Sequence, residues 1–214
     1  MGVVINSYDN REEWLLHRTG IGGSEAGAVC GWGFKTPTQL WEEKTGAAER
    51  EDLSDNERVA FGNAIEEPLR SVFRVMYPKY ELEFQPYTIL RRSEEKFSFM
   101  FYTPDGWLTE KETGRKGLYE SKSSTCSSAK DWDKWRNQIP SGYYAQILHG
   151  MAVGDFEFAV LFAMLRRFDG DAELRAYTFE RDECGADIKW LIQKETDFWH
   201  SVETRTLPKL SIQF

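Results

Sequence analysis

Cysteine is scarce in this 214-residue chain: Cys30, Cys126 and Cys184 form an odd set, far apart, with no CxxC spacing and no neighbouring His pair. That pattern excludes a disulfide scaffold, a zinc ribbon and a four-cysteine iron–sulfur cluster, and it reads as reduced thiols. Histidine is equally thin, and His17, His149 and His200 share no spacing that would pair two as metal ligands, which leaves them surface or core roles. No apolar run approaches the roughly 20 residues of a membrane helix. The start, MGVVINSYDNREEW, lacks the basic and apolar segments of a signal peptide, so a soluble protein of the cytoplasm is expected. Positive charge is in deficit, with 27 Lys and Arg against 35 Asp and Glu, a net −8. A protein that coats nucleic acid through a generally basic surface is thereby excluded, and any contact with a polyanion must be local.

What is present is core-forming material. Hydrophobic residues make up 41% and aromatics 14%, and no low-complexity stretch divides the chain, so one domain over 1–214 is expected. Residues 41–67 hold nine acids to three bases, the pattern of a solvated helix-and-loop surface, closed by Glu66 and Glu67.

Asp9 or Asn10 is positioned to cap a short helix through Trp14, Leu15 and Arg18 that ends at Gly20. The glycines of GIGGSEAGAVCG permit a tight turn, with Ser24 as N-cap of a small-residue helix whose free N–H groups would favour an anion. Thr38 opens the next helix, and a longer one is expected from about Asn56 to Met76, kinked or restarted at Pro68. The period then becomes two. YELEFQPYTILRR, KFSFMFYTPDGWLTE and KGLYESKSS read as consecutive strands, helix returns over SGYYAQILHGMAV, and FEFAVLFAML and ELRAYTFE precede a terminal amphipathic helix. The fold class is mixed α/β, a central sheet flanked by helices.

Within GLYESKSS, strand alternation puts Glu120 and Lys122 on one face with Leu118. Charges on a central strand are costly unless used or paired. Asp105 stands at a turn fifteen residues earlier, and the TEKETGRKG hairpin between the two segments would bring it beside Glu120. Converging carboxylates repel unless a divalent cation sits between them, and Mg²⁺ takes a few carboxylate oxygens while keeping water and substrate phosphate. A lysine at the edge orients or deprotonates the attacking water, or offsets charge on a pentacovalent phosphate. Metal-assisted phosphodiester hydrolysis is the chemistry that results. An E-x-K tripeptide alone describes an exposed edge strand better, since such triplets are common on solvated faces; Pro104-Asp105 is what adds information.

The ordered motifs RTGIGGSEA (Arg18 to Ala26), G-x-x-x-E (Gly62 to Glu66), PDG (Pro104 to Gly106), ESK (Glu120 to Lys122) and YYAQI (Tyr143 to Ile147) resemble the lambda-exonuclease or YqaJ-like viral recombinase family, a branch of the PD-(D/E)xK nucleases. The resemblance implies a restriction-endonuclease-like core and Mg²⁺-dependent 5′-to-3′ degradation of one strand of duplex DNA. The product would be a 3′ overhang passed to a phage single-strand annealing protein in a bacterial host cell. It further implies Asp105, Glu120, Glu66 and the Ser121 carbonyl as ligands of two metal ions, Mg²⁺ or Mn²⁺, with Lys122 and Gln146 completing the catalytic set. Arg18 and Ser24 would form a pocket for the 5′-terminal phosphate, and Thr103, where the family often has Ser, retains a hydroxyl for phosphate. A ring-shaped homotrimer is plausible by the same resemblance. Arg18 also reads as a cation complementing a helix C-terminus, and Glu67 competes with Glu66 as the helix acid. Trp32, Trp41, Trp107, Trp132 and Trp135 offer either base stacking or core packing, and SSTCSSAKDWDKWRNQIP, with Lys130, Lys134 and Arg136, is the expected DNA-facing loop. An endonuclease or repair nuclease of the same fold, and a non-catalytic DNA-end-binding scaffold, are the alternatives.

Overall fold

The period-2 segments build two sheets. The computed structural model describes residues 2–52, 55–167 and 169–208. Strand β1 (Val3–Ser7) is followed by α1 (Arg11–Leu16), β2 (Ile21–Gly22), α2 (Gly23–Val29), α3 (Pro37–Thr45) and α4 (Glu57–Met76). The sheet-forming middle contributes β3 (Tyr80–Glu83), β4 (Thr88–Arg92), β5 (Met100–Tyr102), β6 (Gly106–Glu110) and β7 (Lys116–Thr125). Then come α5 (Ala129–Asp133), α6 (Ser141–Gly154), β8 (Phe158–Arg166), β9 (Ala172–Glu180) and α7 (Arg181–Glu203).

A five-stranded sheet of order β3-β6-β7-β8-β9 is the expected central mixed sheet: β7 and β8 are parallel and the other pairs antiparallel. The remaining strands form a second sheet of order β1-β4-β5-β2. The run YELEFQPYTILRR is therefore cut between β3 and β4, with Tyr87 at φ 54°, and KFSFMFYTPDGWLTE is cut between β5 and β6 at Thr103–Asp105. Both cuts fall at a proline, which cannot donate to a ladder and so ends pairing.

Alternation along β7 and β8 serves the two faces of the central sheet. Leu118, Ala159, Leu161 and Ala163 pack with α2, α6 and α7 in the larger core. Tyr119, Phe158, Val160 and Phe162 pack against Leu69 and Phe73 of α4 in the smaller one. Phe73 is fully buried and meets Tyr119 and Phe162 edge-on at 4.9 and 5.3 Å between ring centroids, a favoured aromatic geometry.

Several boundaries differ from the sequence reading. Thr36, not Thr38, starts α3, because its hydroxyl accepts the Gln39 N–H while the Gln39 side chain accepts the Thr36 N–H, and Pro37 suits the first turn. Asn10 caps α1, which stops at Leu16; the chain is then drawn into β2, where Ile21 N–H donates to the Phe99 carbonyl. Helix α4 runs unbroken through Pro68. Ser24 lies within the first turn of α2 rather than at its cap, which is Gly22; the Glu25 carboxylate takes the Gly22 N–H and an ion pair from Lys44 at 2.7 Å. Among the described residues no helix is long and apolar enough to cross a membrane.

Candidate active site

The hairpin register decides which acids meet. Gly106 pairs with Tyr119, so one further step places Asp105 across from Glu120. Asp105 Oδ2 accepts both the Ser121 N–H and the Ser121 hydroxyl at 2.9 Å, which fixes the Pro-Asp turn to β7. Glu120 is 1% exposed, and both its oxygens are engaged. Oε1 receives the Lys122 ammonium at 2.6 Å and the Gln146 amide from α6, and Oε2 accepts the Tyr102 hydroxyl. The Lys122 ammonium also stands 5.5 Å from the centroid of the Tyr143 ring.

From the opposite face, α4 contributes the third acid. Glu66 faces the cleft, whereas Glu67 is 60% exposed and held outside it by Arg70, Ser71 and Arg74. Arg70, only 4% exposed, donates to the Asp105 carbonyl at 3.2 Å and stands 3.8 Å from Glu66 Oε2, so a single guanidinium ties α4 to the Pro-Asp turn.

The nine residues to which the family resemblance gives a catalytic, metal or phosphate role line one cleft of about 1080 Å³: Arg18, Ser24, Glu66, Thr103, Asp105, Glu120, Ser121, Lys122 and Gln146. Its wall also includes Lys134, Trp135, Gln138, Ile139 and Pro140 of the expected DNA-facing loop. The basic groups of that loop are less available than its composition suggests: Lys134 pairs with Asp131 at 3.1 Å and Arg136 with Asp133 at 3.0 Å, while Trp135 is buried. Trp32 stacks on Trp190 at 5.5 Å, and Trp132 sits under Arg167 and Arg175.

Electrostatics distinguishes the acids of the cleft from its arginine. Burial and then the charge of Asp105 push Glu120 up to about 7 against the opposing pull of Lys122. Burial and Asp105 likewise push Glu66 up to about 7, with Arg70 and Lys122 opposing. Burial alone would depress Lys122, but Glu120 and Asp105 outweigh it and hold the amine above its usual range. Arg18 lines the same cleft. Burial, reinforced by the charge of Arg50 and opposed by that of Glu25, lowers its pKa, its Nε has no hydrogen-bond partner, and it makes no ion pair among the described residues, Glu25 being paired with Lys44. Its guanidinium lies 4.4 Å from the centroid of Trp14. A desolvated cation without a counter-ion is a receptor for an anion.

Among the described residues no three His, Cys, Asp or Glu side chains form a ready-made metal cage. The donor chemistry nonetheless fits a hard divalent cation. The acids offer oxygen only, Asp105 repels both Glu120 and Glu66, and Mg²⁺ is held by one or two carboxylates with its remaining positions left to water and phosphate. Two positioning groups escaped the sequence reading, Tyr102 and Arg70. Tyr102 directly precedes Thr-Pro-Asp and Arg70 stands four residues after Glu66, so adjacency to the motifs was the available signal.

Comparison with known proteins points the same way. The model of the YqaJ-like viral recombinase domain matches residues 13–157. Among solved structures, an alkaline exonuclease (LHK-Exo) from Laribacter hongkongensis is 14% identical with a TM-score of 0.63, covering 91% of this chain and 94% of its own. A phage related exonuclease from Haemophilus somnus is 12% identical with a TM-score of 0.56, covering 90% and 99%. At such identities the likeness shows a shared fold, the nuclease core that the motifs implied. A comparison with curated proteins finds no match.

Proposed function

The chain belongs to the YqaJ-like viral recombinase family, and on that premise we propose that it is a divalent-metal-dependent exonuclease that degrades one strand of duplex DNA from its 5′ end. The observation that carries this is the make-up of one cleft: its lining joins Glu120 and Glu66, each raised by burial and by the charge of Asp105, with a largely buried Arg18 that makes no ion pair among the described residues. Asp105 and Glu120, with the Ser121 carbonyl, would hold one Mg²⁺ or Mn²⁺, and Glu66 would serve a second. When bound, such an ion neutralises the acids, lowers the pKa of its water and polarises the scissile phosphate. Lys122 orients the attacking water and offsets charge on the pentacovalent phosphorus. Gln146 keeps Glu120 Oε1 facing the site. The water oxygen bonds to phosphorus as the bond to the 3′ oxygen breaks, the water gives up a proton to solvent, the leaving 3′ oxygen takes one from solvent to become the hydroxyl of the released nucleotide, and the shortened strand begins with a new 5′ phosphate. Arg18, Ser24 and Thr103 receive that phosphate, so each cut recreates the group that holds the end.

Delivery of the 3′ overhang to a phage single-strand annealing protein, enclosure of the duplex by a homotrimer and action in the cytoplasm of a bacterial host are parts of the same proposal, supported by family membership. The test is incubation with linear and circular duplex DNA, bearing 5′ phosphate or 5′ hydroxyl ends, with Mg²⁺ or with EDTA. Loss of linear DNA only, dependent on Mg²⁺ and faster from phosphorylated ends, is expected. Cleavage of the circle makes it an endonuclease, and no cleavage of either makes it an end-binding scaffold. Equal rates on the two ends remove the phosphate pocket.

A further inference from the structure

The third donor to Glu120 comes from outside the central sheet. Lys122 is its neighbour on β7 and Gln146 comes from α6, but Tyr102 is the last residue of β5 in the four-stranded sheet, 1% exposed, and its hydroxyl reaches across to Glu120 Oε2. The phenol ring has little freedom. A Cβ at Gly23 would lie 2.6 Å from its Cε2, and a Cβ at Gly150 would lie 2.8 Å from its Cζ, so the ring fills the space that two glycines leave between α2 and α6. The strand beneath it is fixed as well, because the Phe101 carbonyl is bonded to His149 Nε2 at 2.8 Å. A rigid donor on a separate sheet is thus aimed at the one Glu120 oxygen that Lys122 and Gln146 leave open.

We propose that Tyr102 is a positioning residue for cation capture: its hydroxyl pins Oε2 of Glu120, so that the carboxylate holds one orientation in the cleft before the ion arrives. This rests on the reading of Asp105 and Glu120 as cation ligands. A glutamate released from such a partner regains rotamer freedom that binding must then remove, and loss of a partner that orients a metal ligand typically weakens metal affinity about 10–100-fold.

Tyr102→Phe keeps the ring between the two glycines and removes only the hydroxyl. Calorimetric titration of the metal-free protein with Mn²⁺, in the absence of DNA, is expected to show about 10–100-fold weaker binding in the variant. The Mn²⁺ concentration for half-maximal cleavage rises in proportion while KM for DNA ends stays unchanged. In a Glu120→Gln background the same substitution adds no further loss. Equal Mn²⁺ affinity with and without the hydroxyl overturns the inference, as does an undiminished effect in the Glu120→Gln background. A second measurement needs no variant: crystals of the wild-type protein without and with Mn²⁺ should keep Glu120 in one rotamer against Tyr102, and rotation of Glu120 away from Tyr102 on loading overturns the proposal. Wild-type protein that neither binds Mn²⁺ nor cuts DNA overturns the nuclease reading itself, a result distinct from a normal wild type and an unaffected variant.

Discussion

Glu120 and Glu195 are both buried acids that reach side chains of α6, and the protein treats them in opposite ways. Glu195, on α7 and 0% exposed, accepts from Nδ1 of the equally buried His149 at 2.8 Å. His149 Nε2 faces the Phe101 carbonyl, so both ring nitrogens stand against oxygen atoms, an arrangement that favours the protonated ring. Burial opposes that charge, but Glu195 outweighs it and raises the His149 pKa. One acid meets one base there, in a closed pair between α6 and α7. Three residues earlier on α6, Gln146 looks onto the other arrangement, where Glu120, Asp105 and Glu66 share Lys122 and the edge of Arg70. A balanced buried pair ties helices together. An excess of buried negative charge destabilises the protein that carries it unless a cation joins, and that cost marks a site of function rather than architecture.

The sharpest way to separate the two is to remove one base from each. Lys122→Ala should lower cleavage by about 10²–10⁴-fold while DNA-end binding and folding persist, since Glu120 keeps Tyr102 and Gln146 as donors. Turnover comparable to wild type in a single-turnover assay would remove the lysine from the chemistry. Glu195→Ala should do the reverse: about 3–5 kcal/mol lost in urea unfolding, because breaking a buried pair leaves His149 without its partner, and unchanged cleavage per folded molecule. A loss within about 1 kcal/mol would show that the pair carries no structural weight.

A smaller effect comes from pH. Glu120 and Glu66 are raised to about 7 in the folded protein against an ordinary value of about 4.3, so between those values the folded state holds protons that the unfolded chain has released. Stability of the metal-free protein therefore falls as pH rises through that window, and Mg²⁺ restores it most at the alkaline end. His149 contributes stability that is complete below about pH 6.5 and lost as pH rises through its raised folded value, with no dependence on Mg²⁺. Melting curves from pH 4.5 to 8.5, with Mg²⁺ and with EDTA, separate the two contributions. A difference between those curves that stays flat with pH would mean that the acids of the cleft are not what the ion relieves.

The same two regions show how far the sequence could be read. The cleft was legible because its residues sit in short motifs, and because a hairpin between β6 and β7 converts spacing along the chain into a register across strands. The His149–Glu195 pair was not read. Its trace was there: Ile188, Leu191, Phe198 and Val202 form a stripe whose central position is an acid, opposite a histidine in the apolar α6. Each residue alone was unremarkable, and only their meeting carries information. The division of the strands into two sheets was hidden for a related reason, since prolines mark where pairing ends but not which partner the next strand takes.

Composition, strand alternation and the order of Pro-Asp, Glu-x-Lys and the helix acid were enough to determine that this chain is a mixed α/β protein in which Asp105 and Glu120 are neighbours, because those are consequences of local geometry. Tertiary structure alone decided that Glu66 rather than Glu67 faces the cleft, that Arg18 is largely buried without an ion pair among the described residues, and that Tyr102 reaches Glu120 from another sheet. Desolvation and Coulomb energy depend on distance through space, and groups remote along the chain become near only when the sheets and helices pack.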